Sequence, residues 1–370
     1  MEKQSGSMEN LVAYDELKSA YTGKNVFVTG DTGFKGSWLV SFLQHIGAVV
    51  NGYSLAPNTT PNHFNLSRNE YANTIANILD KEKLTTAIAK CKPEIIFHLA
   101  AQPLVIESYH DPVNTYQTNV MGTLNLLEAA KACDTVKAIV CITTDKVYEN
   151  KEKNYAYRET DELGGYDMYS SSKACCEILI RSYRNSFLNI ADYKKKHHIL
   201  IASARAGNVI GGGDWSENRL IPDIVKAAAN KQKVVIRNPN AVRPWQHVLD
   251  CVYGYLLLGY KLLEEDSTIA TAWNFAPDTV EAKTVKEVIG IAGSIWNDIS
   301  IELKIPVEGV HEATLLQLDN ANAKNILGWR PQWETETAIT KTIEWYKRFY
   351  STNTLSTRSQ LTEYIDSLNK

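Results

Sequence analysis

Residues 142–150, "ITTDKVYEN", set a hydroxyl, a carboxylate and an amine in consecutive positions: Thr144, Asp145 and Lys146. They follow the apolar run 138–142, which has the character of a buried strand. Polar groups just past the carboxyl end of a strand are where an open α/β sheet carries its chemistry. A second set lies in "GGYDMYSSSKACCEILIRSY", where Tyr169 and Lys173 are four apart and share one helical face. A tyrosine hydroxyl titrates near 10, and a neighbouring ammonium lowers that value by stabilising the phenolate. Tyr169 with Lys173 therefore reads as a proton-abstracting pair, and Asp145 with Lys146 as an acid beside a cation. Each motif alone has a plainer reading: a polar strand end capping the next turn, or a surface pair on a helix.

A third motif makes the combination specific. "VFVTGDTGFKGSWL" spaces Gly30, Gly33 and Gly36 between a strand and a helix. Without Cβ atoms the backbone turns tightly and approaches a pyrophosphate, whose charge sits on the helix N-terminus. The expected dinucleotide contacts are Gly30, Thr32, Gly33, Phe34, Lys35 and Gly36, with Lys35 either near phosphate or on the exposed helix face. The end of the second strand, "VVNGYSLAPNT", carries neither an acid for ribose hydroxyls nor an arginine for a 2′-phosphate. Asn51, Ser54 or Asn58 is the candidate ribose partner, and NAD is expected rather than NADP.

The elements that must hold these groups alternate from Asn25 to about Arg205. Strands "NVFVT", "AVVNGYSL", "EIIFHLA", "AIVCITT" and "ILIASAR" are separated by helical patterns such as "SWLVSFLQHIG" and "TNVMGTLNLLEAAKAC". Apolar runs without alternation suit strands covered on both faces. The expected fold is α/β: a Rossmann-type doubly wound parallel sheet with a smaller C-terminal substrate-binding lobe. The divisions are 22–210 for the dinucleotide domain, 211–350 mainly for the lobe with some segments returning, and 351–370 for a loosely packed tail. "RLIPDIVKAAANK" reads as a helix and "VVIR" as a short strand of that lobe.

Composition excludes several classes. The chain has 370 residues, 44% hydrophobic and 22% charged, so it buries a large core. A net charge of −3 gives no electrostatic reason to bind nucleic acid or an anionic membrane. The polar opening "MEKQSGSMEN" lacks the apolar segment of a secretory signal, and no apolar run approaches the roughly 20 residues of a membrane span. The six cysteines show no CxxC spacing and read as reduced, packed thiols of a cytoplasmic protein, with no metal site expected. "KKKHH" at 194–198 reads as a solvated turn.

With these motifs in place, the chain from Gly23 to Trp333 resembles the extended short-chain dehydrogenase/reductase family, and within it the nucleotide-sugar 4,6-dehydratases. There a Thr-Asp-Glu triplet stands where this chain has Thr144, Asp145 and Lys146. Lysine in third place, with "TGFKGSWL", "GNVIGGGDW" and "RNPNAVRPWQHVLD", is most similar to the CDP-glucose branch. The resemblance implies NAD as cofactor, a CDP-hexose as substrate, a homodimer, and deoxysugar precursors of surface polysaccharide as the end.

It also implies roles. Tyr169 takes the C4 hydroxyl proton while Thr144 holds that oxygen, and Lys173 reaches the nicotinamide ribose. Asp145 protonates the departing O6, which requires it to carry a proton when substrate is bound. Lys146 either takes the C5 proton, if neutral, or steadies the enolate as a cation. "FHLAAQPLV" corresponds to the loop over the nicotinamide ribose, so Leu99, Ala100, Ala101 and Thr143 join the cofactor set and Gln102 the substrate set. Arg243 matches a diphosphate-binding arginine, with Arg237 and Arg219 as further candidates, and Asn208 matches a substrate-contacting asparagine. Trp245 and His247 line the same pocket or are core. The nearest alternative is a 4-epimerase on the same scaffold, which needs no acid over C5 and C6. A remoter one is a non-catalytic nucleotide-binding protein.

Overall fold

The computed structural model describes residues 14–236, 238–278, 282–303 and 315–369. Its centre is a seven-stranded sheet built from β1 (Asn25–Thr29), β2 (Val49–Ser54), β3 (Ala72–Ile75), β4 (Ile95–His98), β5 (Ala138–Ile142), β6 (Leu200–Ala206) and β7 (Ala272–Phe275). The spatial order is β7-β6-β5-β4-β1-β2-β3, and every pairing is parallel. The order reverses between β1 and β4, which opens a crevice at the carboxyl ends of those strands.

Strand periodicity splits the core in two. Val26 and Val28 of β1, Ile95 and Phe97 of β4, and Val140 of β5 face one cluster, which includes Trp38, Leu43, Val252 and Leu256. Phe27, Ile96 and Ile139 face the other, with Leu84, Leu126 and Ile180. The first cluster is covered by helices α1 (Tyr14–Tyr21), α2 (Phe34–His45) and a later helix from the C-terminal half. The second is covered by α3 (Lys81–Cys91), α4 (Gly122–Lys131) and α5 (Met168–Asn185). Both faces are buried, as the unbroken apolar runs require.

All five strands expected from the sequence are present. Two members of the sheet, β3 and β7, were not among them. β3 reads "ANTI" and is an edge strand with little apolar content. β7 arrives 66 residues after the end of β6, and its residues Ala272 to Phe275 pair with Ser203 to Ala206. Before it, α7 (Val248–Leu263) lies in the sheet's own core, and α6 (Leu220–Ala229) adds Ile221, Val225 and Ala228 to that core while turning Ile224 to a smaller one. Ile224, Ile236 and Ile289 form that small cluster around the parallel pair Lys233–Ile236 and Ser300–Leu303 and helix α8 (Val285–Ile295).

The tail departs from expectation. After α9 (Thr335–Thr352), residues Thr357–Leu368 form α10, with Leu361, Tyr364 and Ile365 buried in the main core. The Tyr364 hydroxyl donates to Asp250 Oδ1 on α7 at 2.8 Å. Burial pushes the Asp250 carboxyl up to about 7, so this anchor is held by a carboxyl that is largely neutral below that pH. The tail's apolar residues recur at helical spacing, and the helix packs because α7 offers them an apolar face.

Candidate active site

The glycine-rich turn joins β1 to α2. Gly30 has φ +72, and a Cβ there would stand 2.7 Å from Ala100 N and 2.8 Å from Leu99 C. A Cβ on Gly36 would stand 2.1 Å from Gly30 O. The turn therefore admits no side chain at either position, and the loop after β4, with Leu99, Ala100 and Ala101, is packed against it. Ala100 N donates to Thr29 Oγ1 at 3.2 Å. Gly33 is the N-cap of α2 and supplies no side-chain cap, leaving the first-turn N–H groups for an anion. These residues fit a dinucleotide pyrophosphate.

The ribose side differs from expectation. Ser54 is buried and donates to Asp31 Oδ1 at 2.8 Å, so its hydroxyl is taken. Asp31 also accepts from Tyr71 and Asn73, which offset the burial that raises its pKa. The acid that β2 lacks is thus supplied by the glycine-rich turn itself, though buried and saturated by its donors. Thr32 donates to Leu55 O at 2.8 Å, tying the same turn to the end of β2. Asn51 sits within β2, paired with Phe27 and Ala72, away from the strand's carboxyl end. Asn58 lines a cavity of about 370 Å³ with Thr59, Leu104, Trp215, Glu217 and Lys226.

At the tip of β5, Thr144 caps the short turn Asp145–Val147. Its hydroxyl accepts from Lys146 N at 3.4 Å and donates to Asp145 Oδ1 at 2.9 Å. Tyr169 lies in the first turn of α5, a helix capped by Asp167, which accepts from Ser170 N at 2.9 Å. Burial pushes the Tyr169 phenol up to about 12, interaction with the Thr144 hydroxyl opposes that, and Asp145 adds to it. Thr144, Asp145 and Tyr169, 25 positions apart at the extremes, therefore meet at one place.

Lys173 does not depress that phenol here. It is buried, and its ammonium donates to Ile142 O at 3.2 Å. Burial draws its own pKa down. The cation that acts on Tyr169 is Arg219, whose guanidinium is held by Asp214 at 2.8 Å. Lys35 also belongs to this end of the crevice rather than to the exposed face of α2. Burial lowers its pKa, and Cys251, Arg219, Asp145 and Lys173 lie within electrostatic reach. Lys146 is half-buried on the turn.

Other expected contacts are engaged elsewhere. Thr143 donates to Glu177 Oε1 at 2.5 Å and is part of a buried network. Glu177 also accepts from Ser203 at 2.8 Å and from Arg205 at 2.8 Å, and Arg205 reaches Tyr148 OH at 2.7 Å. That ion pair joins α5 to β6 directly behind the site, and the arginine holds the Glu177 carboxyl below its usual range despite burial. Its signal in the sequence is an acid four residues after Lys173 on an apolar helix face. Gln102 spends its side chain on its own loop, donating to Thr115 Oγ1 at 2.9 Å and accepting from Leu104 N at 2.6 Å. It shapes that loop instead of reaching into the crevice.

On the substrate side, Asn208 is half-buried next to Gly207, and its carbonyl accepts from Gln246 N at 3.1 Å. Arg243 is half-buried in the strand pair Val242–Arg243 with Lys283–Thr284, and Nη1 donates to Val242 O at 2.9 Å. Arg237 lies outside the described residues. Trp245 and His247 are core: Trp245 donates to Lys283 O at 3.2 Å, and His247 packs edge-on to Trp333 at 4.6 Å.

Comparison with known proteins gives the chain a family. Residues 27–342 match the family model for GDP-mannose 4,6 dehydratase. A CDP-glucose 4,6-dehydratase of Salmonella typhimurium is 47% identical over 332 residues, 89% of this chain and 92% of that protein. A UDP-glucose 4-epimerase of Mycoplasma pneumoniae is 26% identical, over 89% of this chain and 98% of that one. Among solved structures, a dTDP-glucose 4,6-dehydratase from Streptomyces venezuelae with NAD bound superposes with a TM-score of 0.73 at 22% identity, covering 89% and 99% of the two chains. An epimerase from Methanothermobacter thermautotrophicus gives 0.79 at 23%, covering 94% and 97%. These structural likenesses are likenesses of fold.

Proposed function

The chain belongs to the GDP-mannose 4,6-dehydratase family, and on that premise we propose that it dehydrates CDP-D-glucose to CDP-4-dehydro-6-deoxy-D-glucose with NAD as cofactor. The observation that carries this is the meeting of Thr144, Asp145 and Tyr169 at the tip of β5, beside a crevice built for a dinucleotide. Held at Gly30, Gly33 and Gly36, NAD would supply a hydride acceptor for C4 and a donor for C6, which would keep the cycle redox-neutral.

The chain's own residues do the rest. Gly30, Gly33 and Gly36 let the backbone reach the pyrophosphate, with the open N-terminus of α2 as its partner. Tyr169 accepts the C4 hydroxyl proton, and Thr144, close enough to act on the phenol, orients that oxygen. The 4-ketone then acidifies C5. Asp145 delivers a proton to O6 as it leaves, while Lys146 takes the C5 proton or steadies the enolate. Lys173, tied to Ile142 O, would hold the nicotinamide ribose when NAD is bound. Arg243 and Arg219 hold the substrate diphosphate by the bidentate contacts guanidinium groups favour, and Asn208 contacts the hexose.

A 4-epimerase is the second reading, since UDP-glucose 4-epimerases align over most of the chain. Asp145 speaks against it, because epimerisation needs no acid over C6. Incubation with NAD and a panel of CDP-, dTDP-, GDP- and UDP-glucose decides the matter by product mass. Loss of one water from CDP-glucose alone is expected. An isomer of unchanged mass, resolved from the substrate by chromatography, would establish the epimerase, and loss of water from another nucleotide sugar would reassign the base.

Pairing into a homodimer is supported by exposed apolar side chains on the helices that cover one sheet face: Val113 and Met121 ahead of α4, and Ile178 on α5. Sedimentation is expected to give twice the chain mass, and a single-chain mass at micromolar concentration would overturn the assignment. No helix among the described residues is long and apolar enough to cross a membrane. A cytoplasmic site, where free thiols such as Cys141 and Cys176 stay reduced, suits a precursor pathway for surface polysaccharide. Fractionation that recovered the chain elsewhere would exclude it.

A further inference from the structure

Gly207 follows β6 directly and precedes Asn208. Its φ lies outside the left-handed region, so the backbone makes no demand for glycine there. What forbids a side chain is the site. A Cβ at 207 would stand 2.9 Å from Asp145 Oδ2, 3.5 Å from Asp145 Cγ and 3.5 Å from Pro244 Cγ. Even a weak carbon–oxygen contact keeps about 3.3 Å. The element that would yield is the end of the Asp145 side chain, which moves more easily than the backbone of β6.

The two carboxylate oxygens are not equivalent. Oδ1 accepts from the Thr144 hydroxyl at 2.9 Å. Oδ2 has no hydrogen-bond partner among the described residues and faces the gap that Gly207 leaves, so it is the oxygen available to carry a proton to a leaving group. We propose that Gly207 is a positioning residue for the elimination step: its missing side chain gives Asp145 Oδ2 the place from which it protonates O6. This rests on the reading of Asp145 as the acid given above. Thr144 bonds the other oxygen, Oδ1, and the Gly207 Cβ would meet Oδ2 alone within 3 Å, so the displacement is expected to spare C4 oxidation.

Single-turnover mixing with NAD and CDP-glucose separates the two steps. Appearance of reduced-nicotinamide absorbance reports oxidation, and its decay follows elimination. Gly207→Ala is expected to leave the rise unchanged and slow the decay by about 10- to 100-fold, the range for sub-ångström to ångström misplacement of an acid. In an Asp145→Asn background the same glycine substitution should add less than about twofold, because the group it displaces is already disabled. A wild-type decay in Gly207→Ala overturns the proposal, as does equal slowing of rise and decay, which marks general distortion. Should Gly207→Ala fail to fold, Asp145→Ala in the same chain removes the atom met by the new Cβ and should restore folding; no restoration overturns it. If Asp145→Asn alone leaves the decay unchanged, the acid reading itself falls, and that outcome is distinct from a failure at Gly207.

Discussion

Asp145→Asn is expected to leave C4 oxidation running and to slow loss of water by about 10²–10⁴-fold, the reach of a positioned general acid. The amide keeps the volume of the carboxyl and can still accept from Thr144 at the Oδ1 position, so the tip of β5 stays in place. What it lacks is a transferable proton at the oxygen facing Gly207. The first step does not need that proton, because the C4 hydrogen on oxygen goes to Tyr169. Mixing the variant with NAD and substrate should therefore build reduced cofactor at the wild-type rate and hold it there. Product forming within a few-fold of wild type would remove Asp145 from the acid role.

Tyr169→Phe should stop the reaction one step earlier. With the phenol gone, the group assigned to the C4 proton is missing, and reduced-nicotinamide absorbance should not appear on the enzyme's time scale. The loss is expected to reach at least about 10²–10⁴-fold in the oxidation rate. The phenol is pushed up to about 12 by burial in the absence of substrate and cofactor, so it is poor as a base in this state. Arg219 already draws it down, and the positive charge of an oxidised nicotinamide would act in the same direction. A Phe variant that still reduced NAD at the wild-type rate would assign the base to another residue. The two variants also separate from each other: one accumulates reduced cofactor, the other never forms it.

Much of the scaffold was legible along the chain. "NVFVT", "EIIFHLA" and "AIVCITT" appear as β1, β4 and β5, because a strand covered on both faces announces itself as an unbroken apolar run. The glycines at 30 and 36 declare a backbone that no side chain could share, and the structure shows Ala100 and Gly30 filling that space. The polar strand tip and the Tyr-x-x-x-Lys helix pointed to the chemistry, and the two do converge. By contrast β3 has too little apolar content to stand out, and β7 could be recognised only from its pairing with β6. The tail reads as loose because its helical spacing is short, and the apolar face that receives it belongs to α7.

By itself, then, the amino-acid order determined which local structures form and which reactive types lie at their ends. Periodicity and backbone permission are properties of neighbouring residues. Only the tertiary structure decided which of those reactive groups are free. Thr143 is claimed by Glu177 34 positions away, Ser54 by Asp31 23 away, and the tyrosine behind Arg205 by Asn274 126 away. It also brought Lys35 within electrostatic reach of Asp145 and set Gly207 against the carboxylate. The physical reason is that a buried polar group must find a partner wherever the fold brings one, and that choice is made across the chain rather than along it.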